Sequence, residues 1–142
     1  MKVRSDFVTN SSSSSFILGF KSNEELKAYQ ELYGECFMGD PIQKNEIDKI
    51  AGYAAESAAF MYSIRVNGKR IWDMEKDDPD FQVLLEKAEE EEAKMWQSLK
   101  TQMLEYPILY IVEYEDHTEY GSEMEHEIMP YLDCTIHRIS NH

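Results

Sequence analysis

Long apolar runs are absent from this sequence of 142 residues, and so is the apolar core of a secretory signal. The longest run is only a few residues, as at Pro107–Val112, whereas a membrane-spanning helix needs about 20. The N-terminus is positively charged but continues into polar residues, which is not the pattern of a signal peptide. We therefore expect a cytoplasmic protein that does not bind a membrane.

Cysteines are few, and the familiar cofactor motifs are missing. The two cysteines, Cys36 and Cys134, lie far apart and form no C-x-x-C pair, so we expect reduced thiols. Cys134 and His137 would point to opposite faces of a strand, which disfavours a catalytic pair. The sequence also lacks G-x-G-x-x-G, G-x-x-x-x-G-K-[ST] and G-x-S-x-G. We therefore favour a protein that is not an enzyme and has no phosphate-bound cofactor.

Basic residues are outnumbered, with 14 Lys and Arg against 28 Asp and Glu and a formal net charge of -14. An acidic protein is repelled by nucleic-acid phosphates, so we expect no direct nucleic-acid binding. No Lys or Arg occurs between Lys100 and Arg138, a segment that holds nine acidic residues. We expect this segment to bind a protein partner with a basic surface, and imitation of nucleic-acid charge is one version of that hypothesis. The alternative is a face that only keeps the protein soluble.

Tyrosines accompany the acidic residues at the end of a predicted strand. Tyrosine beside carboxylates is typical of protein-binding surfaces, although the rim of a core is the alternative for these rings. The candidate partner-binding residues are Glu113, Glu115, Asp116, Tyr114 and Tyr120.

All four histidines lie in the last 26 residues, in the same acidic region. Imidazole and carboxylate are ligands for a divalent cation such as zinc, manganese or iron. A metal-binding domain or metal-dependent enzyme is therefore the second functional hypothesis, with chance clustering as the alternative because no H-E-x-x-H or H-x-H is present. The candidate metal ligands are His117, Glu123, His126, His137 and His142.

Hydrophobic periodicity and turn residues predict an α+β fold with a mixed sheet of about five strands and three main helices largely on one face. Ser22, Asp40-Pro41 and Asp78-Pro79 mark the starts of the three helices. Asn67-Gly68 predicts a type I′ hairpin turn. The predicted strands are Phe16–Phe20, Tyr62–Val66, Lys69–Trp72, Ile108–Tyr114 and Cys134–Ile139.

Two regions bear on domain organisation and assembly. The run of serines from Ser11 to Ser15 predicts a flexible leader over residues 1–15, followed by a single domain over residues 16–142. The third helix is long, and its C-terminal half carries Met95, Trp96, Leu99 and Met103. We expect this half to overhang the sheet and to form a homodimer through residues 93–105, unless the other helices bury it.

The string Arg4-Ser5-Asp6-Phe7-Val8-Thr9-Asn10, with the serines and Phe16-Ile17 after it, resembles an N-terminal motif of a group of bacterial and phage proteins. Residues 116–117, 121–127 and 135–142 also resemble a C-terminal tail of some of them. The resemblance implies a Gram-positive or phage origin and a cytoplasmic location. These groups have no assigned reaction, so the resemblance implies no substrate.

Overall fold

The computed structural model of the protein describes residues 13–115 and 118–140. The fold is α+β, as predicted, and the described residues form two compact units. The first unit contains the residues up to Gln43 together with those from Tyr106 onward, and the second unit is Lys44–Glu105. Among the described residues no helix is both long and apolar enough to span a bilayer. The prediction of a single domain over residues 16–142 stays a prediction.

The first unit is built on an antiparallel sheet with the strand order β2-β3-β1-β4. The inner strand β1 runs against both β3 and β4, and Phe16 lies opposite Val112 on one side and Arg138 on the other. The predicted mixed sheet is therefore wrong for the described residues, because every pair of neighbouring strands is antiparallel. The strands are β1 (Ser13–Phe20), β2 (Asp40–Pro41), β3 (Ile108–Glu115) and β4 (Thr135–Ser140).

Four strands replace the five predicted ones, because the hairpin around Asn67-Gly68 does not extend into two strands and Asp40-Pro41 forms β2. The prediction that Asp40-Pro41 starts the second helix is therefore wrong, since that helix begins at Ile47. The hairpin turn is present, with φ of 52° and 79° at Asn67 and Gly68, but Val66 and Lys69 form only an isolated bridge. After the bridge the Arg70 N–H donates to the Asp73 carboxylate, and a short 3₁₀ turn follows. A two-stranded ribbon without a third strand gains little stability in water. The turn chemistry was thus predicted correctly and the strands were not.

Strand β1 also begins earlier than the composition suggested. Ser13, Ser14 and Ser15 pair with β3 and belong to the strand, and the Ser14 side chain is fully buried. These three serines were assigned to the flexible leader, so the leader prediction is corrected at this boundary. The other residues of the predicted leader, residues 1–12, lie outside the described residues.

The core of the first unit covers the face of β1 that carries Phe16, Leu18 and Phe20. Helix α1 (Asn23–Tyr33) begins at Ser22, whose hydroxyl accepts a hydrogen bond from the Glu25 N–H as predicted. Helix α1 contributes Leu26, Tyr29 and Tyr33 to this core from its inner side. The buried members of the core are Phe16, Leu18, Phe20, Phe37, Met38, Val112, Tyr114, Met124, Met129 and Cys134.

The second unit pairs helix α2 (Ile47–Ser57) with helix α3 (Pro79–Leu104). The Trp96 indole lies against Gly52, where an added Cβ would come within 2.8 Å of the ring, and its N–H donates to the Asp48 carbonyl oxygen at 3.0 Å. Leu99 is 5% exposed and Met103 is fully buried. Leu99 and Met103 are therefore buried, whereas Trp96 is still 38% exposed. The homodimer through residues 93–105, like the placement of the helices on one face of the sheet, stays a prediction.

Candidate functional site

Strand β3 presents its last acidic residues outward and Tyr114 inward. Glu113 and Glu115 are exposed, whereas Tyr114 between them is 8% exposed. The Tyr114 hydroxyl donates a hydrogen bond of 2.7 Å to the Phe37 carbonyl oxygen. Of the candidate partner-binding residues, Tyr114 is thus a core residue, as the alternative held, while Glu113 and Glu115 are exposed at the surface.

The short helix α4 (Glu119–Glu123) is fixed tightly against the end of β3. The Thr118 hydroxyl caps it by accepting a hydrogen bond of 2.9 Å from the Gly121 N–H. A Cβ at Gly121 would collide with the Glu115 carbonyl oxygen, so only glycine allows this approach. Tyr120 packs edge-on against Tyr114 and remains 58% exposed. Tyr120 therefore exposes an aromatic ring next to the acidic residues, and its contact with Tyr114 holds the ring in place.

Helix α4 continues into a π-helical turn (Met124–Ile128), and its outer side is acidic. Glu119, Glu123 and Glu127 recur every four residues and are all exposed. These three residues line, together with Ser122 and His126, a groove of about 280 Å³ that we call the acidic groove. We call the surface that combines the groove with the end of β3 the acidic face, formed by Glu113, Glu115, Glu119, Tyr120, Glu123 and Glu127.

One acidic residue of the π-helical turn points inward. Glu125 is fully buried, and neither of its carboxylate oxygens accepts a hydrogen bond from any described residue. The His126 Nε2 atom lies 3.1 Å from Glu125 Oε1, in a geometry that falls short of a hydrogen bond. On the other side, the Arg138 Nη2 atom lies 3.7 Å from Glu125 Oε2. Glu125 thus lies between an imidazole and a guanidinium without accepting a hydrogen bond from either.

Arg138 is held in place by strand β1. Its Nε–H donates a hydrogen bond of 3.0 Å to the buried Ser14 hydroxyl, and its guanidinium lies 5.8 Å from the centre of the Phe16 ring. Arg138 is the first basic residue after Lys100 in the sequence. This cation lies beside the buried Glu125 carboxylate.

The predicted metal ligands are only partly brought together. Glu123 and His126 both line the acidic groove. His137 is adjacent to Arg138 on β4, and adjacent residues of a strand point to opposite faces. Since Arg138 points toward Glu125, His137 points away from it. Burial lowers the pKa of His137. Within residues 13–115 and 118–140 no group of three or more His, Cys, Asp or Glu is placed to hold a metal ion. His117, His142 and the candidate partner-binding Asp116 lie outside the described residues, so the metal hypothesis stays a prediction.

Cys134 belongs to the core rather than to a reactive site. Burial raises the pKa of its thiol to about 11 and is also the main cause that raises the pKa of the neighbouring Tyr29 to about 12. A thiol with such a pKa is almost entirely protonated at neutral pH and is a poor nucleophile.

Sequence reasoning did not single out Glu125 among the nine acidic residues of its segment. Its apolar neighbours Met124 and Met129 are buried in the core, but apolar neighbours alone do not specify the direction of an acidic side chain. A π-helical turn is not visible in a 3.6-residue periodicity, so the inward direction could not be derived. Comparisons with the known protein families, with curated proteins and with solved structures find no match to this chain.

Proposed function

We propose that this protein is a small non-enzymatic accessory protein that binds a basic surface of another protein through the acidic face. The observation that carries the proposal is the arrangement of Glu119, Glu123 and Glu127, which expose three carboxylates one helical turn apart along one groove. Such a row matches Lys and Arg side chains along a helix or an extended segment of the partner.

The charge distribution supports the same proposal. The chain carries a net charge of -14, and the only arginine between residues 101 and 142 lies beside Glu125 instead of among the exposed carboxylates. A strongly acidic face attracts basic partners over a distance of about one Debye length, which raises the association rate. The exposed Tyr120 ring adds an apolar contact of the type that dominates many interfaces. We place this function in the cytoplasm of a bacterium or phage-infected cell.

Neutralisation of the groove tests the proposal. We expect the triple substitution Glu119→Gln, Glu123→Gln, Glu127→Gln to weaken binding of a lysine-rich peptide at least about tenfold, because three carboxylates of the interface lose their charge. Fluorescence anisotropy of the labelled peptide measures this change. Binding by the unmodified protein should also weaken as salt is raised from about 0.05 M to about 0.3 M.

The matched control removes the same number of charges elsewhere. Glu86, Glu89 and Glu105 are exposed in or next to helix α3, so their joint replacement by Gln gives the same net charge. We expect the control to bind the peptide almost as well as the unmodified protein. Equal losses in the two triple variants would mean that only the net charge matters, and the acidic face would then not be the binding site.

A further inference from the structure

Glu125 is a buried carboxylate with two ion-pair contacts, to His126 and Arg138, but no hydrogen bond from the described residues. Its side chain is fully buried, and both oxygens are without a hydrogen bond from the described residues. Buried polar groups in native proteins are almost always hydrogen-bonded, and an unpaired buried charge is strongly destabilising. An unsatisfied carboxylate at this position therefore requires an explanation, and a group supplied by a ligand would provide one.

The His126 imidazole separates this carboxylate from the acidic groove. The imidazole lines the groove and is 46% exposed, while its Nε2 atom lies 3.1 Å from Glu125 Oε1. Glu125 Oε1 is therefore directed at the side chain that forms one wall of the groove. Rotation of this one half-exposed side chain would open the path from the groove to the carboxylate.

The other oxygen of Glu125 is already beside a cation. Arg138 approaches Oε2 at 3.7 Å and is restrained by Ser14 and by the Phe16 ring. Because Arg138 is held beside Oε2, Oε1 is the oxygen that faces the groove wall formed by His126. The π-helical turn that carries Glu125 and His126 is a type of backbone often found at functional sites.

We infer that the acidic groove takes a single lysine or arginine side chain of the partner, which displaces the His126 imidazole and pairs with Glu125 Oε1. This inference rests on the proposed function and names the chemical group that anchors it. Glu119, Glu123 and Glu127 attract the incoming cation, and Glu125 holds it where water is excluded. Because loss of one partner of a buried charge pair weakens binding far more than loss of an exposed charge, Glu125 is the anchor of the interface.

A pair of substitutions with opposite expected effects tests this inference. The probe is a labelled peptide with one lysine between Gly and Ser residues, compared with the same peptide in which norleucine or arginine replaces the lysine. We expect Glu125→Gln to weaken binding of the lysine and arginine peptides about tenfold, because the buried charge is lost. We expect His126→Ala to tighten it about threefold or more, because the imidazole no longer has to be displaced. The norleucine peptide should bind weakly to every variant.

The controls separate an anchor from a structural role. Glu127→Gln removes one exposed carboxylate of the same groove and should weaken binding less than about threefold. Weaker binding in both Glu125→Gln and His126→Ala would indicate a structural role, and unchanged binding in both would indicate no role; either result overturns the inference. If these two variants behave like the unmodified protein while the triple groove variant loses binding, the proposal that the acidic face binds the partner is retained, and only the role of Glu125 as the anchor is rejected. If the triple variant also binds normally, the proposed function fails as well.

Discussion

At the scale of the residue, two residues that belong to no recognisable sequence motif decide the shape and chemistry of the acidic face. Gly121 allows α4 to approach the end of β3, and Glu125 brings a carboxylate into the interior. Neither residue could be singled out from the sequence, because glycine in a loop and glutamate in an acidic run are both ordinary. The exposed Glu119, Glu123 and Glu127 were predicted as part of an acidic segment, but their common groove depends on the helical path that follows Thr118.

We expect Gly121→Ala to lower the free energy of unfolding by about 2 kcal/mol, because the added methyl group meets the Glu115 carbonyl oxygen, a backbone atom that cannot move easily. Chemical denaturation measures the change. Ser122→Ala, one residue later on the same helix, is the matched control and should change stability by less than about 0.5 kcal/mol. A Gly121→Ala protein as stable as the control would show that α4 does not pack against β3 in this way.

At the scale of the element, prediction succeeded where local sequence decides the structure. Ser22 and Asp78 cap α1 and α3 as expected, since each side chain satisfies a free N–H of the first helical turn. The strands β1, β3 and β4 were found from their apolar β-prone residues. The prediction of two hairpin strands after Tyr62 was wrong, because Asn67-Gly68 specifies only the turn. Strands also need a neighbouring strand or an apolar face to pack against, which this local sequence does not specify. The prediction of a flexible leader was wrong at Ser13–Ser15 for the opposite reason: pairing with β3 places these serines in a strand although their composition is typical of linkers.

Helix α3 gives a prediction that separates a buried stripe from a dimer interface. Leu99 is 5% exposed, so we expect Leu99→Ala to lower the free energy of unfolding by about 3 kcal/mol through loss of packing. The loss should be the same at low and at high protein concentration, since the contacts lie within one chain. Unfolding midpoints that rise with protein concentration in the unmodified protein, and not in the variant, would instead support the homodimer through residues 93–105.

At the scale of the whole molecule, net charge was the most informative property of the sequence. It predicted an acidic C-terminal segment, and within residues 118–140 the acidic residues are exposed except for Glu125. The α+β class also followed from the order of helices and strands, while the division into two units and the number of strands depend on long-range pairing. Two of the five predicted metal ligands, His117 and His142, lie outside the described residues, so the metal hypothesis stays a prediction.

The central claim is that the acidic face binds a basic segment, and mapping of backbone amide shifts during titration with an oligolysine peptide tests it most directly. The account predicts that the largest shifts fall in residues 118–128 and at Arg138, since Glu119, Glu123 and Glu127 meet the peptide there and Glu125 contacts Arg138. The shifts should fade as salt is raised. Shifts confined to residues 44–105, or no shifts at saturating peptide, would contradict the account.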